Sequence, residues 1–228
     1  MPAEWTIPLG ECAELVADRY GITREAQDAF ALASHEKASR AWRDGRYDQE
    51  VVAYPGIDLP RDESIRDDTS AAALARLNPA FRPDGGTLTA GNSSPLNDGA
   101  AALLLADEDG LRATGREPLT RFRASAVTGI EPKYFGVGPV EAVHRALAKA
   151  GRGLADLHTV ELNEAYAAQA LACLAEWPDL DPTIVNPHGG AIAIGHPLGA
   201  SGARIAGAVA HQLAAAGSGV GVAPCASA

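Results

Sequence analysis

The stretch Asn186-Pro187-His188-Gly189-Gly190-Ala191-Ile192-Ala193-Ile194-Gly195-His196-Pro197-Leu198-Gly199-Ala200-Ser201-Gly202-Ala203-Arg204 constrains the fold more than any other part of the chain. Six of its positions are glycine or serine, so it is not built to fill a core. Glycine admits positive φ and lets a ligand or another backbone come close, while Pro197 biases His196 toward an extended conformation and aims its imidazole out of the turn. The small residues that follow read as the start of a helix with unpaired N–H groups. A histidine held there can act as a general base near neutral pH. Taken alone, a His-Pro pair in such a turn reads more readily as a surface or core histidine beside a helix packed on a sheet.

The rest of the pattern indicates an α/β fold. From Thr87 onward, strand and helix signals alternate. Ala101–Ala106 reads as a buried strand, Phe122–Val127 as an alternating one, and Val160–Leu162, Thr183–Val185 and Gly219–Ala223 as short extended segments. Helices are expected from Pro139 to Gly151, from Glu164 to Trp177, and through Ile205, Val209 and Leu213 to Gly217. Before Thr87 the chain reads as helical: Glu11–Tyr20 closed by Gly21, a longer helix capped by Thr23 and stopped near Gly45, and a short one over Ser70–Leu77. Tyr54–Asp68, with Pro55 and Pro60, reads as an exposed connection. The change of pattern divides the chain into 1–86, mainly helical, and 87–228, α/β.

Composition narrows the function. A net charge of −10 with no Lys/Arg run argues against a nucleic-acid partner, because phosphate backbones are bound by basic faces. Met1–Leu9 carries no basic leader region, and no apolar run approaches the length of a membrane span, so a cytoplasmic protein is expected. Cys12, Cys173 and Cys225 are odd in number and far apart, which fits neither a disulfide framework nor a metal site.

Two further clusters stand beside the glycine-rich one. Asn163-Glu164-Ala165-Tyr166 lies where a strand passes into a helix, a place where α/β folds collect functional groups. Asn163 can donate to an oxyanion directly or through a water; by itself it reads as the cap of the Glu164–Trp177 helix. Thr89-Ala90-Gly91-Asn92-Ser93-Ser94-Pro95-Leu96-Asn97-Asp98-Gly99 is small and polar, and alone reads as a loop.

Together, in this order, the three clusters resemble the thiolase family: a TAGN(S/A)S-x-LNDGAAA segment, an NEAF-like segment and a GGAIA-x-GHP-x-GASGAR segment. Gly10–Glu14, Gln27–Ala31 and Asn78–Phe81 are similar to the family's loop domain, and the likeness runs from about Pro8 to about Cys225. The resemblance implies a thiolase-like C-terminal half preceded by a partial loop domain, with the family's N-terminal half absent. It implies an acyl-CoA C-acyltransferase that exchanges acyl groups between coenzyme A thioesters by Claisen-type chemistry. It requires no covalently bound cofactor, and its substrate is the coenzyme A thioester. His196 matches the base that activates the nucleophilic cysteine and helps stabilise the enolate oxygen. Asn163 matches the residue that positions a water in the same oxyanion hole. Ser94 matches a pantetheine contact, with Ala90 and Tyr166 near the acyl and pantetheine tunnel.

Two departures shape the expectation. The family's nucleophilic cysteine precedes everything matched here, and Cys12 and Cys173 read as small buried hydrophobes. Cys225 falls within one residue of the family's proton-transfer cysteine, but the Ile-Gly-Gly-Gly type of ending is replaced by Ala226-Ser227-Ala228. Codons for Ala223–Ala228 exist that, read in a shifted frame, give Ala-Leu-Cys-Ile-Gly, so a frame change near Val222 is expected. The isolated chain is expected to be inactive. It is expected to be either part of a thiolase completed by a complementary N-terminal chain or a homo-oligomer, or a non-catalytic thiolase-like subunit that binds CoA esters or a partner.

Overall fold

A computed structural model describes residues 6–59 and 61–226. The leader reading at Met1–Trp5, the turn at Pro60 and the Ser227–Ala228 end of the tail lie outside the described residues.

The helical first part forms as its caps dictate. Helix α1 (Leu9–Tyr20) ends at Gly21, whose φ of 63° lets its N–H turn back to the carbonyls of Ala17 and Asp18. Thr23 then accepts from Ala26 N at 3.2 Å and starts α2 (Arg24–Arg43). Ser70 caps the short α3 (Ala71–Ala75) in the same way. The next elements are α4 (Glu108–Thr114), capped by Asp107, and α5 (Gly138–Lys149), preceded by a 3₁₀ turn over Pro132–Val137.

Strand β1 (Thr159–Val160) is the centre of a small parallel sheet, and α6 (Ala167–Ala175) follows it. The chain continues through α7 (Ala191–Ile194) and α8 (Leu198–Ala216) to β2 (Gly221–Val222). β1 and β2 pair in parallel, Thr159 with Gly221 and Val160 with Val222. The pairing runs on past both strands, because Asn163 N donates to Pro224 O at 3.0 Å. On the other side of β1, Val160 bridges to Val185.

Val143 and Leu147 of α5, Val160 and Leu162, and Ala170, Cys173 and Trp177 of the α6 region form the largest core cluster. Each of its larger aliphatic side chains contributes about 1.5–3 kcal/mol on burial. α8 packs against β1 and β2. The helix–sheet–helix layering is the α/β arrangement read from the sequence.

Several local expectations differ from the structure. Ala101–Ala106 is exposed and pairs with no strand among the described residues, with Leu104 75% and Leu105 76% exposed; Phe122–Val127 likewise stays unpaired. Strand character resides in pairing and packing, and apolar sequence without a partner does not supply it. Thr183-Ile184 is a 3₁₀ turn, because Pro182 restricts φ and Asp181 accepts from Thr183 N and Oγ1 at 2.8 and 2.7 Å; only Val185 is extended. The Glu164–Trp177 helix begins only at Ala167. Asn163 does not cap it, since its backbone continues the sheet and the N-cap position belongs to Tyr166.

Candidate functional site

The site lies just past the C-terminal ends of β1 and β2, where four loops are bonded to one another. Residues 163–166 stay extended because Ser93 bridges to Tyr166 and Ser94 donates both its N–H and its Oγ–H to Ala165 O at 3.0 Å. The 92–97 loop is itself pinned by Asn92. This side chain is fully buried, accepts from Thr89 N at 2.7 Å and donates to Asp28 at 2.9 Å and Thr87 O at 3.1 Å. Asn97 closes the ring: its Oδ1 accepts from His196 N at 3.3 Å.

Glycine is required at two points of the 186–196 turn. A Cβ on Gly190 would stand 2.3 Å from Glu164 Cδ, and Gly195 combines a φ of 82° with a Cβ position 2.3 Å from Asn97 Oδ1. Glu164 is the buried post around which this turn winds. It accepts from Ser34 Oγ at 2.7 Å, Asn186 Nδ2 at 2.7 Å and Ile192 N at 3.1 Å. Burial raises its carboxyl pKa; those three bonds and the Lys37 ammonium oppose the shift. Asn186 holds the turn's entry with a φ of 44°, clasping the Leu162 backbone through both side-chain atoms. Arg204 holds its exit, donating to Gly195 O at 2.8 Å.

These supports bring the two central side chains together. Asn163 Nδ2 lies 3.3 Å from His196 Nε2, and His196 Nδ1 lies 2.7 Å from Ser201 Oγ. Asn163 is buried, and its Oδ1 has no hydrogen-bond partner among the described residues. Burial, helped by the Arg204 guanidinium, lowers the His196 pKa, so the ring is neutral and basic at pH 7. A neutral imidazole beside a fixed amide can take up a proton and then steady negative charge on an oxygen.

The remaining expected residues are placed unequally. Ser94 is tied to the Asn163 loop through Ala165, and Tyr166 is half-buried with its ring edge-on to Phe81 at 6.1 Å. Ala90 is exposed on the turn after Thr89, with no bond to the His196 pair. Cys225 directly follows the carbonyl that receives Asn163 N–H, so the sheet register carries it to the site, yet its thiol is exposed and contacts only Ala226 O at 3.6 Å. Cys12 and Cys173 are buried away from the pair. Cys12 Sγ points to Pro132 O, and burial pushes the Cys173 thiol up to about 12.

Reading the sequence missed Glu164, Asn97, Asn186 and Ser201. All four stand inside or at the edge of the quoted clusters. The usable signal was a carboxylate set among Leu162, Ala165 and Ala167, which has to be buried and therefore bonded.

Comparison with known proteins gives the family and the fold. The family model described as "Thiolase, N-terminal domain" matches residues 3–109, and "Thiolase, C-terminal domain" matches residues 116–228. The chain is 45% identical over 224 residues to the 3-ketoacyl-CoA thiolase of Aliivibrio fischeri, covering 94% of this chain and 58% of that protein. It is 43% identical over 225 residues to the 3-ketoacyl-CoA thiolase of Bacillus subtilis, covering 92% of this chain and 57% of that one. Among solved structures, the Bacillus anthracis acetyl-CoA acetyltransferase superposes with a TM-score of 0.90 at 41% identity, over 96% of this chain and 57% of the other. Human mitochondrial 3-ketoacyl-CoA thiolase superposes with a TM-score of 0.90 at 35% identity, over 99% and 58%. The chain thus spans a little under three-fifths of the length of these relatives. With both domain models matched and the glycine-rich turn folded around His196, the chain belongs to the thiolase family.

Proposed function

We propose that this chain supplies the base and oxyanion side of an acyl-CoA C-acyltransferase site, and that the nucleophilic cysteine comes from thiolase sequence outside it. The proposed division is a partial loop domain over 1–86 and the C-terminal α/β domain over 87–228. His196 Nε2 takes the proton of the cysteine thiol, leaving a thiolate to attack the thioester carbonyl. Asn163 then faces the oxygen on which charge develops, Ser94 and Tyr166 meet the pantetheine arm with Ala90 at its border, and Cys225 stands at the position for α-proton transfer. The substrate is a coenzyme A thioester, with no separate cofactor. The compartment is the cytoplasm, where three unpaired cysteines stay reduced.

The observation that carries this reading is the Asn163–His196 pair at 3.3 Å, with Asn163 just past β1 and His196 in the turn between α7 and α8. The thiols support the second half of it. Burial is the first cause that raises the pKa of Cys12 and of Cys173, so neither is activated as a thiolate, and Cys225 is exposed with only Ala226 O beside its thiol. The same fact favours a second reading, a thiolase-like subunit that binds CoA esters without turnover.

A thiolysis assay with acetoacetyl-CoA and a longer 3-ketoacyl-CoA separates them. The chain alone is expected to show no turnover. Addition of a complementary N-terminal thiolase segment restores it on the first reading and leaves it absent on the second. Turnover by the chain alone that survives Cys12→Ala, Cys173→Ala and Cys225→Ala contradicts both.

A further inference from the structure

We propose that Ser201 is the positioning residue that fixes the tautomer of His196, holding the ring proton on Nδ1 so that Nε2 carries the reactive lone pair. Ser201 is fully buried in the first turn of α8, five residues after the histidine. Its Oγ lies 2.7 Å from His196 Nδ1 and 3.0 Å from Pro197 O.

A hydroxyl has one proton, so only two arrangements connect these groups. In the first, Asn163 Nδ2–H donates to Nε2, Nδ1–H donates to Ser201 Oγ, and the hydroxyl donates to Pro197 O. In the second, the hydroxyl donates to Nδ1, the ring proton sits on Nε2, and the Asn163 amide turns so that Oδ1 accepts it. The first chain makes three hydrogen bonds and the second makes two, because Pro197 O is then left to its backbone donors alone. Pro197 O already accepts from Ala200 N and Ser201 N at 2.9 Å, so the first arrangement is favoured by the net value of its one additional hydrogen bond.

The catalytic meaning rests on the acyltransferase reading: with Nδ1 engaged, Nε2 is the atom that accepts the thiol proton. The arrangement of protons does not depend on that reading. Loss of the hydroxyl reverses the balance, since a bare Nδ1 is then cheaper than an unpaired Nδ1–H, and Nε2–H gains Asn163 Oδ1 as its acceptor.

The test is solid-state NMR of the ¹⁵N-histidine-labelled chain at pH 8.5, which reads ring tautomers whatever the state of assembly, with His196 assigned by difference from His196→Gln. Wild type is expected to carry its proton on Nδ1. In Ser201→Ala the ratio of Nδ1–H to Nε2–H is expected to fall by at least roughly five- to tenfold, the equivalent of one ordinary hydrogen bond. Ser201→Cys, close in size but a weak acceptor, should fall in the same direction and serves if the alanine variant does not fold. A wild-type ring protonated on Nε2, or a tautomer ratio unchanged in either variant, overturns the inference. Absence of acyl transfer in the reconstituted assay would overturn the catalytic reading alone.

Discussion

Glu161 is buried one residue beyond β1, with its Oε1 accepting from Gln212 Nε2 at 2.6 Å. Burial pushes its carboxyl up to about 8, with Glu164 and Glu50 adding to the shift and the Gln212 bond and Arg204 opposing it. The folded state therefore prefers the protonated form. Below the usual value of 4.5 both states are protonated and there is no cost; as pH rises toward about 8 the unfolded chain ionises first and stability falls. Glu161→Gln is expected to raise Tm at pH 8 and to leave it nearly unchanged at pH 4.5, a gain of about 1–3 kcal/mol at the higher pH. An equal change at both values, measured by chemical denaturation, would mean the carboxyl is already ionised in the fold. In a reconstituted thiolase, the roles proposed for the site separate in the kinetics. His196→Ala should lower kcat by about 10²–10⁴-fold, because proton transfer acts in the transition state, whereas Ser94→Ala should chiefly raise KM. Parallel losses in both constants from both variants would contradict the assignment.

Between residues and the whole molecule stand the turn that carries His196 and the helix that follows it. The turn is set by a steric fit: Gly190 lies against the Glu164 carboxyl, and Gly190 N donates to the same Ser34 hydroxyl that donates to Glu164. Gly190→Ala must move a buried carboxyl that has three donors, and is expected to cost about 1–3 kcal/mol. Gly202, inside α8, meets nothing within 4 Å of its added Cβ. Gly202→Ala is expected to stabilise by about 0.5–1 kcal/mol through helix propensity alone. Opposite signs in urea unfolding would confirm that only one of these glycines is sterically required. The motif does not distinguish them, because in one dimension both are simply glycine.

At the scale of the molecule, the two long unpaired segments matter most. Leu104, Leu105, Phe122 and Val127 are 75%, 76%, 73% and 90% exposed, an unusual cost for side chains of this kind. These residues read as strands yet have no sheet to join among the described residues, so they offer backbone edges and apolar side chains together. The isolated chain is expected to self-associate or to melt over a broad range, seen by light scattering and calorimetry. A monodisperse monomer with one sharp transition would show that the fold is complete without a covering partner. A complementary thiolase segment, if it covers these residues, should raise Tm with the logarithm of its concentration once that exceeds Kd.

What was legible in the sequence was whatever local chemistry decides. The cap at Thr23 follows from one side-chain oxygen and the stops at Gly21 and Gly217 from backbone sterics, and the α/β alternation follows from periodicity. The three motif clusters likewise single out His196 and Asn163, whose side chains lie 3.3 Å apart. Tertiary structure alone decided the rest. The strand character of 101–106 and 122–127 depends on a pairing partner and not on propensity. Asn163 reads locally as a cap but spends its backbone N–H on Pro224 and its amide on His196. Glu164, Asn186 and Ser201 became meaningful only when residues 130, 24 and 5 positions away came within hydrogen-bonding distance. Such bonds are made through space, and a buried polar group reveals its purpose only through the partner that satisfies it.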